Sequence, residues 1–207
     1  MKGLILISGG LDSPVAAYLM LKKGVDIIAL NMDNRPLADD ASSEKVKKVV
    51  KKLSELTGRK IPLYMVNHGK SQQEIIANCD SRMTCILCKR IMFRIAEKIA
   101  LAEACDFIIT GDNLGQVASQ TMDNMRTITS SVKIPVIRPL LCNDKNDTIK
   151  IAKEIGMYDL LAAQTVGCKA VPAHPATVSY EDRIAREESK IDIDRLIENA
   201  IKTKVII

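Results

Sequence analysis

A short loop rich in glycine and serine lies near the start of the chain, at residues 8–13 (SGGLDS). It follows an apolar run at residues 4–7, which predicts a buried strand, and it precedes a helix that Ser13 can cap and that has Pro14 in its first turn. Glycines let backbone N–H groups approach a bound anion, and a helix N-terminus adds positive partial charge. Because Ser8 and Ser13 add hydroxyl groups, the pattern predicts a phosphate-binding loop.

The loop also contains an acid, Asp12, which would repel a bare phosphate group. We therefore expect a Mg²⁺ ion between Asp12 and the phosphates. The loop is not a Walker A motif, because the Gly-Lys-Ser/Thr ending is missing. The alternative is a glycine-rich turn without a ligand, and the complete hexapeptide between a strand and a helix disfavours it.

Six cysteines form the second group of residues that could do chemistry, at positions 79, 85, 88, 105, 142 and 168. Cys85 and Cys88 are three residues apart, so a helix would place both thiols on one turn. Two thiols do not complete an iron–sulfur cluster or a structural zinc site. Cys105, Cys142 and Cys79 are interpreted as small buried hydrophobic residues. A disulfide framework is not expected in an intracellular chain of this size.

The elements that must position these groups alternate between strands and helices. Strands are predicted at residues 4–7, 25–30, 61–66, 107–110 and 136–137, and the helices between them include residues 86–104 and 116–125. This order predicts an α/β fold with a doubly wound, five-stranded parallel sheet and helices on both faces. Such sheets bind ligands at the carboxyl ends of their strands. Polar residues and glycines gather at those ends, at residues 8–10, 31–33, 67–69 and 110–112.

The composition bounds the class of protein. Of 207 residues, 47% are hydrophobic and 3% are aromatic, so the core of a single α/β domain must be aliphatic. The net charge of +5 suits partners that bear phosphate but is too small to establish nucleic-acid binding. The sequence contains no apolar run of membrane-spanning length and no recognisable leader, which predicts a soluble cytoplasmic protein.

Three ordered blocks of sequence resemble one known family. Residues 8–18 (SGGLDSPVAAY) resemble the PP-loop of the ATP pyrophosphatases, and in particular the ThiI family of tRNA sulfurtransferases, which form 4-thiouridine. Residues 110–121 (TGDNLGQVASQT) are similar to that family's second nucleotide segment. Residues 137–156 (IRPLLCNDKNDTIKIAKEIG) resemble the stretch with its essential lysine. With residues 85–96 and 168–177 included, the resemblance covers nearly residues 3–178.

The resemblance implies roles for individual residues. ATP would contact residues at the carboxyl edge of the sheet, namely Leu6, Ile7, Ser8, Gly9, Gly10, Asp12, Ser13, Asn31, Met32, Lys89, Gly111 and Gln120. Asp12 matches an acid that the family needs for activation, and Lys145 matches its lysine. A cation at Lys145 can offset the charge that develops as pyrophosphate leaves.

The resemblance also assigns a third cysteine to the pair. Cys168 lies in the segment 166–169 (VGCK), which matches the family's catalytic cysteine, and the archaeal type of the family associates three such cysteines with an iron–sulfur cluster. Cys85, Cys88 and Cys168 are therefore expected to hold a [4Fe–4S] cluster. A redox pair that works with a Cys168 persulfide, a zinc site and plain buried thiols remain alternatives. His68 and His174 are interpreted as structural.

The chain departs from the family pattern in its extent, because we find no THUMP or rhodanese sequence. We expect a catalytic PP-loop domain at residues 1–178 and a helical tail at residues 179–207, packed on the domain or on a second subunit. The expected activity is ATP-dependent adenylation of a carbonyl oxygen, in tRNA uridine, and its replacement by sulfur from a sulfur donor. We expect tRNA to bind through a separate RNA-binding subunit, and the chain to form a homodimer with Ile and Leu side chains of the tail as the seam. The alternatives are a smaller substrate and a non-enzymatic nucleotide or Fe–S module.

Overall fold

The computed structural model describes residues 1–163 and 168–207, whose strands form one sheet. The strands are β1 (Lys2–Leu6), β2 (Asp26–Asp33), β3 (Leu63–Asn67), β4 (Phe107–Ile109), β5 (Val136–Ile137) and β6 (Val205–Ile206). The helices are α1 (Asp12–Lys22), α2 (Asp40–Thr57), α3 (Gly69–Asn78), α4 (Thr84–Ala102), α5 (Met122–Thr129), α6 (Lys145–Glu154), α7 (Tyr158–Ala162), α8 (Glu181–Glu188) and α9 (Ile193–Lys202). Two short 3₁₀ turns lie at Ser81–Met83 and Ala118–Gln120.

The sheet has the strand order β5-β4-β1-β2-β3-β6. All neighbours from β5 to β3 pair in parallel, which confirms the predicted α/β fold with a parallel sheet. The predicted number of five strands is wrong, because β6 adds a sixth. β6 pairs antiparallel with β3, with Val205 opposite Met65 and Ile206 opposite Tyr64. The order reverses at β1, so the switch point of the sheet lies beside the loop that follows this strand.

Side chains alternate between the two faces of the sheet and build a core layer on each. From β1, Leu4 packs in the layer that contains Ile91 of α4. The next residue, Ile5, packs in the opposite layer with Val49 of α2. Burial of an aliphatic side chain of this size contributes about 1.5–3 kcal/mol relative to exposure. Packing in both layers therefore stabilises the position of β1 in the sheet.

The tail, residues 179–207, packs against the rest of the same chain. Ile184 of α8 and Leu196 and Ile197 of α9 are buried in the layer formed with α4. They therefore do not form the exposed seam that we expected for a dimer. The exposed large apolar residues of the tail are instead Tyr180, Val205, Ile206 and Ile207. The division into units at residues 1–178 and 179–207 stays a prediction.

Within the described residues, no helix combines the length and the apolar character that crossing a membrane requires.

Candidate functional site

The predicted phosphate loop connects β1 to α1 and is folded by its own serines. The backbone N–H of Ser8 donates to Ser13 Oγ at 2.8 Å, and the N–H of Gly10 donates to Ser8 Oγ at 3.2 Å. The prediction that Ser13 caps α1 is wrong, because the helix begins at Asp12 and Ser13 accepts from Ser8 instead. The serines therefore curl the loop around the start of the helix.

The end of β4 lies directly against this loop. A Cβ atom added at Gly111 would be 2.5 Å from the backbone nitrogen of Ser13, closer than side-chain carbons come to backbone. Gly111 is therefore needed for a close approach between two backbones. On the other side, a Cβ at Gly9 would be 3.1 Å from Lys45 Cδ. Lys45 Nζ donates to the carbonyls of Leu161 and Ala163 at 2.8 Å and 2.6 Å, which ties the end of α7 to the loop.

The two residues predicted to act on the phosphates meet above the loop. Lys145 Nζ lies 3.1 Å and 3.2 Å from the two carboxylate oxygens of Asp12. Lys145 is the first residue of α6, and Asp144 caps that helix by accepting from the N–H of Asn146 at 2.8 Å. The cap fixes where α6 begins and therefore where the lysine stands.

Two cavities flank the loop and contain nearly all the residues predicted to bind ATP. The first, of about 230 Å³, is lined by Leu6, Ser8, Gly10, Asp12, Ser13, Lys89, Gly111 and Gln120 among others. The second, of about 200 Å³, includes Ser8, Gly9, Gly10, Asn31 and Met32. Ile7 lines neither cavity; its side chain is buried and its carbonyl accepts from Asn31 Nδ2 at 2.9 Å. Contact of these residues with ATP stays a prediction.

A buried carboxylate that the sequence analysis did not single out lies in the first cavity. Asp112 accepts from Lys89 Nζ at 2.9 Å and from Gln120 Nε2 at 3.3 Å. Arg138 Nε lies 3.5 Å from its other oxygen. Burial alone would raise the pKa of Asp112, but Lys89, Thr110 and Arg138 outweigh burial and lower it, so the group is ionised at neutral pH.

The three cysteines of the predicted cluster line one cavity of about 310 Å³. Cys85 and Cys88 lie on the first turns of α4. Gln72 of α3 joins Cys88 to Cys168, because its Nε2 lies 3.5 Å from one Sγ and 3.4 Å from the other. Burial raises the pKa of Cys85, and it raises the pKa of Cys88 to about 12, so both are neutral thiols at pH 7. Across residues 1–163 and 168–207, no group of three or more Cys, His, Asp or Glu side chains is arranged to hold a metal ion.

His68 is fully buried behind this cavity, and its interpretation as a structural residue stays a prediction. Its Nε2 is 3.2 Å from Cys88 Sγ, and its Nδ1 has no hydrogen-bond partner in the described part of the chain. Complete burial lowers the pKa of His68 to about 4, so the ring is neutral at pH 7. His68 and Gln72 are one helical turn apart, which is why both reach the same thiol.

The other cysteines are not part of the thiol cavity. Cys105 is buried, as predicted, and Cys79 is half-buried with its Sγ 3.5 Å from the carbonyl oxygen of Glu187. The interpretation of Cys142 as a buried residue is wrong, because it is exposed in the loop that leads to α6. Cys79, Cys105 and Cys142 therefore do not line the cavity that Cys85, Cys88 and Cys168 share.

Cys168 connects the two parts of the site. It lines the thiol cavity with Cys85 and Cys88, and it also lines the second cavity beside the phosphate loop. The N–H of Lys169 donates to the carbonyl of Leu37 at 3.2 Å, which anchors the segment beyond the cysteine. Residues 166–167 of the predicted cysteine segment lie outside the described residues.

Comparison with known proteins decides the family. The family model described as thiamine biosynthesis protein (ThiI) matches residues 1–193. The chain belongs to the ThiI family. It is 40% identical over 207 residues to a probable tRNA sulfurtransferase of Methanosarcina mazei, covering 100% of this chain and 51% of that protein. It is 41% identical over 200 residues to one of Caldanaerobacter subterraneus, covering 96% and 52%. The chain thus spans about half the length of the curated relatives it matches.

Solved structures agree with this ThiI assignment. A 4-thiouridine synthetase in complex with RNA and bound ATP superposes with a TM-score of 0.94 at 37% identity, over 100% of this chain and 54% of that one. An NMN synthetase from Francisella tularensis superposes with a TM-score of 0.62 at 14% identity, over 98% of this chain and 78% of that one, which shows a shared fold alone. The resemblance to ThiI stated from the sequence is confirmed.

The ThiI blocks that are separate in sequence meet at one edge of the sheet. Residues 8–18 supply the phosphate loop, residues 110–121 supply Gly111 and Gln120, and residues 137–156 supply Lys145. Each block ends a strand or begins a helix there, which is where parallel sheets bind ligands.

Proposed function

We propose that this chain binds ATP at its phosphate loop, adenylates the carbonyl oxygen of a uridine in tRNA, and replaces that oxygen with sulfur. The products are AMP, pyrophosphate and 4-thiouridine. The observation that carries the proposal is the position of Cys168, which lines a cavity with the phosphate loop and a second cavity with Cys85 and Cys88. A sulfur site and a nucleotide site that share one residue suit a reaction with consecutive activation and sulfur transfer. The names of the relatives and the ATP-bound neighbour support the same activity.

The first step is transfer of the adenylyl group. The uridine O4 attacks the α-phosphorus of ATP, a new P–O bond forms, and the bond between that phosphorus and the bridging oxygen breaks so that pyrophosphate leaves. The loop N–H groups and Lys145 lie where negative charge grows on the departing phosphates, and they lower the barrier by electrostatic stabilisation. Asp12 holds Lys145 in place before ATP arrives, since the two side chains are paired.

The second step is substitution at the activated carbon. A sulfide anion attacks C4 of the adenylated uridine, the C–S bond forms, and the C–O bond breaks so that AMP leaves with the oxygen. No electrons are exchanged when the donor is inorganic sulfide. The opening near Cys168 would admit the substrate carbon between the phosphate loop and the thiols. A Cys168 persulfide is the alternative donor, and it needs a second thiol to release the product.

Two inorganic groups belong to the proposal. Mg²⁺ fits Asp12, the carboxylate at the loop, since Mg²⁺ in such sites takes one or two carboxylates and the substrate phosphates. A [4Fe–4S] cluster fits the donor chemistry of Cys85, Cys88 and Cys168, because three thiols line one mainly apolar cavity and iron–sulfur clusters take thiolate ligands. When bound, such a cluster supplies an iron without a protein thiolate, to which sulfide can bind.

The proposed partners follow from the net charge of the chain and from the share of its relatives' length that it spans. A net charge of +5 neutralises few phosphates, and RNA affinity rises with the number neutralised. We therefore propose that tRNA binding relies on an RNA-binding subunit or region beyond this chain, that the chain forms a homodimer, and that it works in the cytoplasm, where ATP and tRNA are available.

The decisive experiment follows the products of one reaction under anaerobic conditions. The protein is incubated with α-labelled ATP, Mg²⁺, sodium sulfide and unmodified tRNA, with and without cell extract. We expect AMP, pyrophosphate and 4-thiouridine as products. Nucleoside mass spectrometry of the tRNA detects the 4-thiouridine. ADP and phosphate would contradict adenylyl transfer. AMP formed with a small carbonyl compound but not with tRNA would favour the smaller substrate, and ATP binding without any product would favour a non-enzymatic module.

A further inference from the structure

Asp112 lies three residues beyond the end of β4, directly after Gly111. The carboxylate is buried, with an exposed side-chain fraction of 11%. Its backbone position is fixed relative to the phosphate loop, because Gly111 packs against the backbone of Ser13 without room for a side chain. A charged group placed so firmly beside a phosphate site has a defined distance to whatever the loop binds.

Each carboxylate oxygen of Asp112 has a separate set of partners. Oδ1 accepts from Lys89 Nζ at 2.9 Å and from Gln120 Nε2 at 3.3 Å. Oδ2 accepts from Thr110 Oγ1 at 2.9 Å and lies 3.5 Å from Arg138 Nε. The partners of Oδ1 are the two side chains that are expected to contact ATP, whereas Thr110 and Arg138 directly follow β4 and β5.

We propose that Asp112 is a positioning residue for ATP, which acts by holding Lys89 and Gln120 in place. This rests on the proposed function, since the ligand is ATP. One oxygen anchors the carboxylate to the scaffold, and the other presents a lysine and an amide to the cavity. Without Asp112, Lys89 would adopt its binding orientation only when the ligand binds. The entropy lost in ordering this long side chain would then reduce the affinity for ATP.

The charges point to the same role. Lys89 and Arg138 are cations with exposed side-chain fractions of 23% and 13%, and Asp112 lies between them. The two cations and the one carboxylate together leave one positive charge, which faces the phosphate loop. With Asp112 neutral, the two cations would repel each other in a poorly solvated cavity. The isosteric substitution Asp112→Asn removes the charge and also replaces one acceptor oxygen by a donor, which cannot accept from the side chains on that edge.

The test is a double-mutant cycle on ATP affinity with α,β-methylene-ATP as the probe. We expect Asp112→Asn and Lys89→Met each to raise the dissociation constant roughly 10- to 100-fold, as for loss of a hydrogen bond to a charged group. If Asp112 acts largely through Lys89, the rise in the dissociation constant of the double variant should be at least about 3-fold smaller than the product of the two single rises, because only Gln120 is then left for Asp112 to position. Asp123→Asn, an exposed acid in the first turn of α5, is the matched control and should bind like the wild type.

A kinetic readout separates positioning from a loss of structure. Asp112→Asn should raise the KM for ATP and largely retain kcat at saturating ATP, whereas a partly unfolded variant would lose kcat at an unchanged KM. Thr110→Val serves if Asp112→Asn does not fold, because it removes one anchoring donor without a change of charge and should weaken binding by roughly 3- to 10-fold.

Two results would overturn the inference while the wild type binds the probe: equal affinity of Asp112→Asn and wild type, or full multiplication of the two effects in the double variant. A wild type that does not bind the probe contradicts the proposed function itself, so the two failures are distinguishable.

Discussion

Lys145 Nζ stands within 3.1 Å and 3.2 Å of the two carboxylate oxygens of Asp12, and each residue is the first of its helix. The first residues of α1 and α6 therefore meet beside the phosphate loop. Helix N-termini favour anions, so the pair lies where two helix dipoles and a lysine add together. In this structure the carboxylate of Asp12 balances the charge of Lys145.

Replacement of Lys145 tests that arrangement. Lys145→Met should lower kcat for AMP formation roughly 10²- to 10³-fold, because it removes one charge that stabilises the departing pyrophosphate. The affinity for α,β-methylene-ATP should change far less, since the loop N–H groups remain. Steady-state kinetics and calorimetric titration measure the two quantities separately.

Lys150→Met is the control, because this lysine is exposed and lies farther along the same helix. It should leave both quantities unchanged. If Lys145→Met weakened binding as much as turnover, the lysine would contribute to ground-state binding rather than to activation.

Much of the fold could be predicted from the sequence, because apolar runs flanked by glycine or polar residues determine the parallel strands. α3 was missed, since residues 69–78 have little apolar periodicity beyond Ile75 and the neighbouring exposed Ile76. β6 was missed for another reason. It has only two residues, and its strand pairing depends on β3, which is distant in sequence, so the local pattern favoured a helical tail.

The residues of the site divide in the same way, into those that the local sequence reveals and those that only folding brings together. The loop, Lys145 and the cysteines belong to contiguous motifs and could be named from the sequence. Asp112, Gln72 and His68 could not, because their roles depend on partners that only the folded chain brings near. One signal was present for Asp112: a carboxylate next to a glycine at the end of a strand, where ligands bind.

Single cysteine variants test whether the thiol cavity holds iron. After anaerobic reconstitution with iron and sulfide, Cys85→Ser, Cys88→Ser and Cys168→Ser should each lose most of the bound iron and the visible absorbance, because a cluster needs all of its thiolate ligands. Cys142→Ser is the control, since this thiol is exposed and outside the cavity. Iron and sulfide analysis gives the result. Retention of iron in all three variants would contradict a shared cluster.

Glu188 should make stability depend on pH in the acid range. Burial would raise the pKa of this carboxyl group, but hydrogen bonds from Arg90 and Arg94, at 2.8 Å and 2.7 Å, outweigh burial and lower it from 4.5. A lowered pKa stabilises the folded state fully above the ordinary value, and that contribution is lost as the pH falls through the folded-state pKa. Glu188→Gln should cost about 3 kcal/mol at pH 7, because it removes the close charge partner that the buried Arg90 and the partly exposed Arg94 share, and leaves Arg90 with the more distant Glu181 at 3.7 Å.

The measurement for Glu188 is urea unfolding at a series of pH values from neutral to acid. The difference between wild type and Glu188→Gln should shrink as the pH falls below 4.5. Glu198→Gln, an exposed glutamate of α9, should stay within about 0.5 kcal/mol of the wild type at every pH. A constant difference across the series would mean that the charge of Glu188 is not what stabilises the tail.

Leu196 tests whether the tail is part of this chain's own core. The side chain is 5% exposed and packs in the layer that α4 shares with the sheet, so Leu196→Ala should destabilise the protein by about 2–5 kcal/mol. Leu101→Ala removes the same atoms from a side chain that is 65% exposed and should change stability by about 0.5 kcal/mol or less. Urea unfolding at two protein concentrations, tenfold apart, gives both values. Because Leu196 packs within one chain, its effect should not depend on concentration; a loss that grows on dilution would instead place this residue at an interface between two copies.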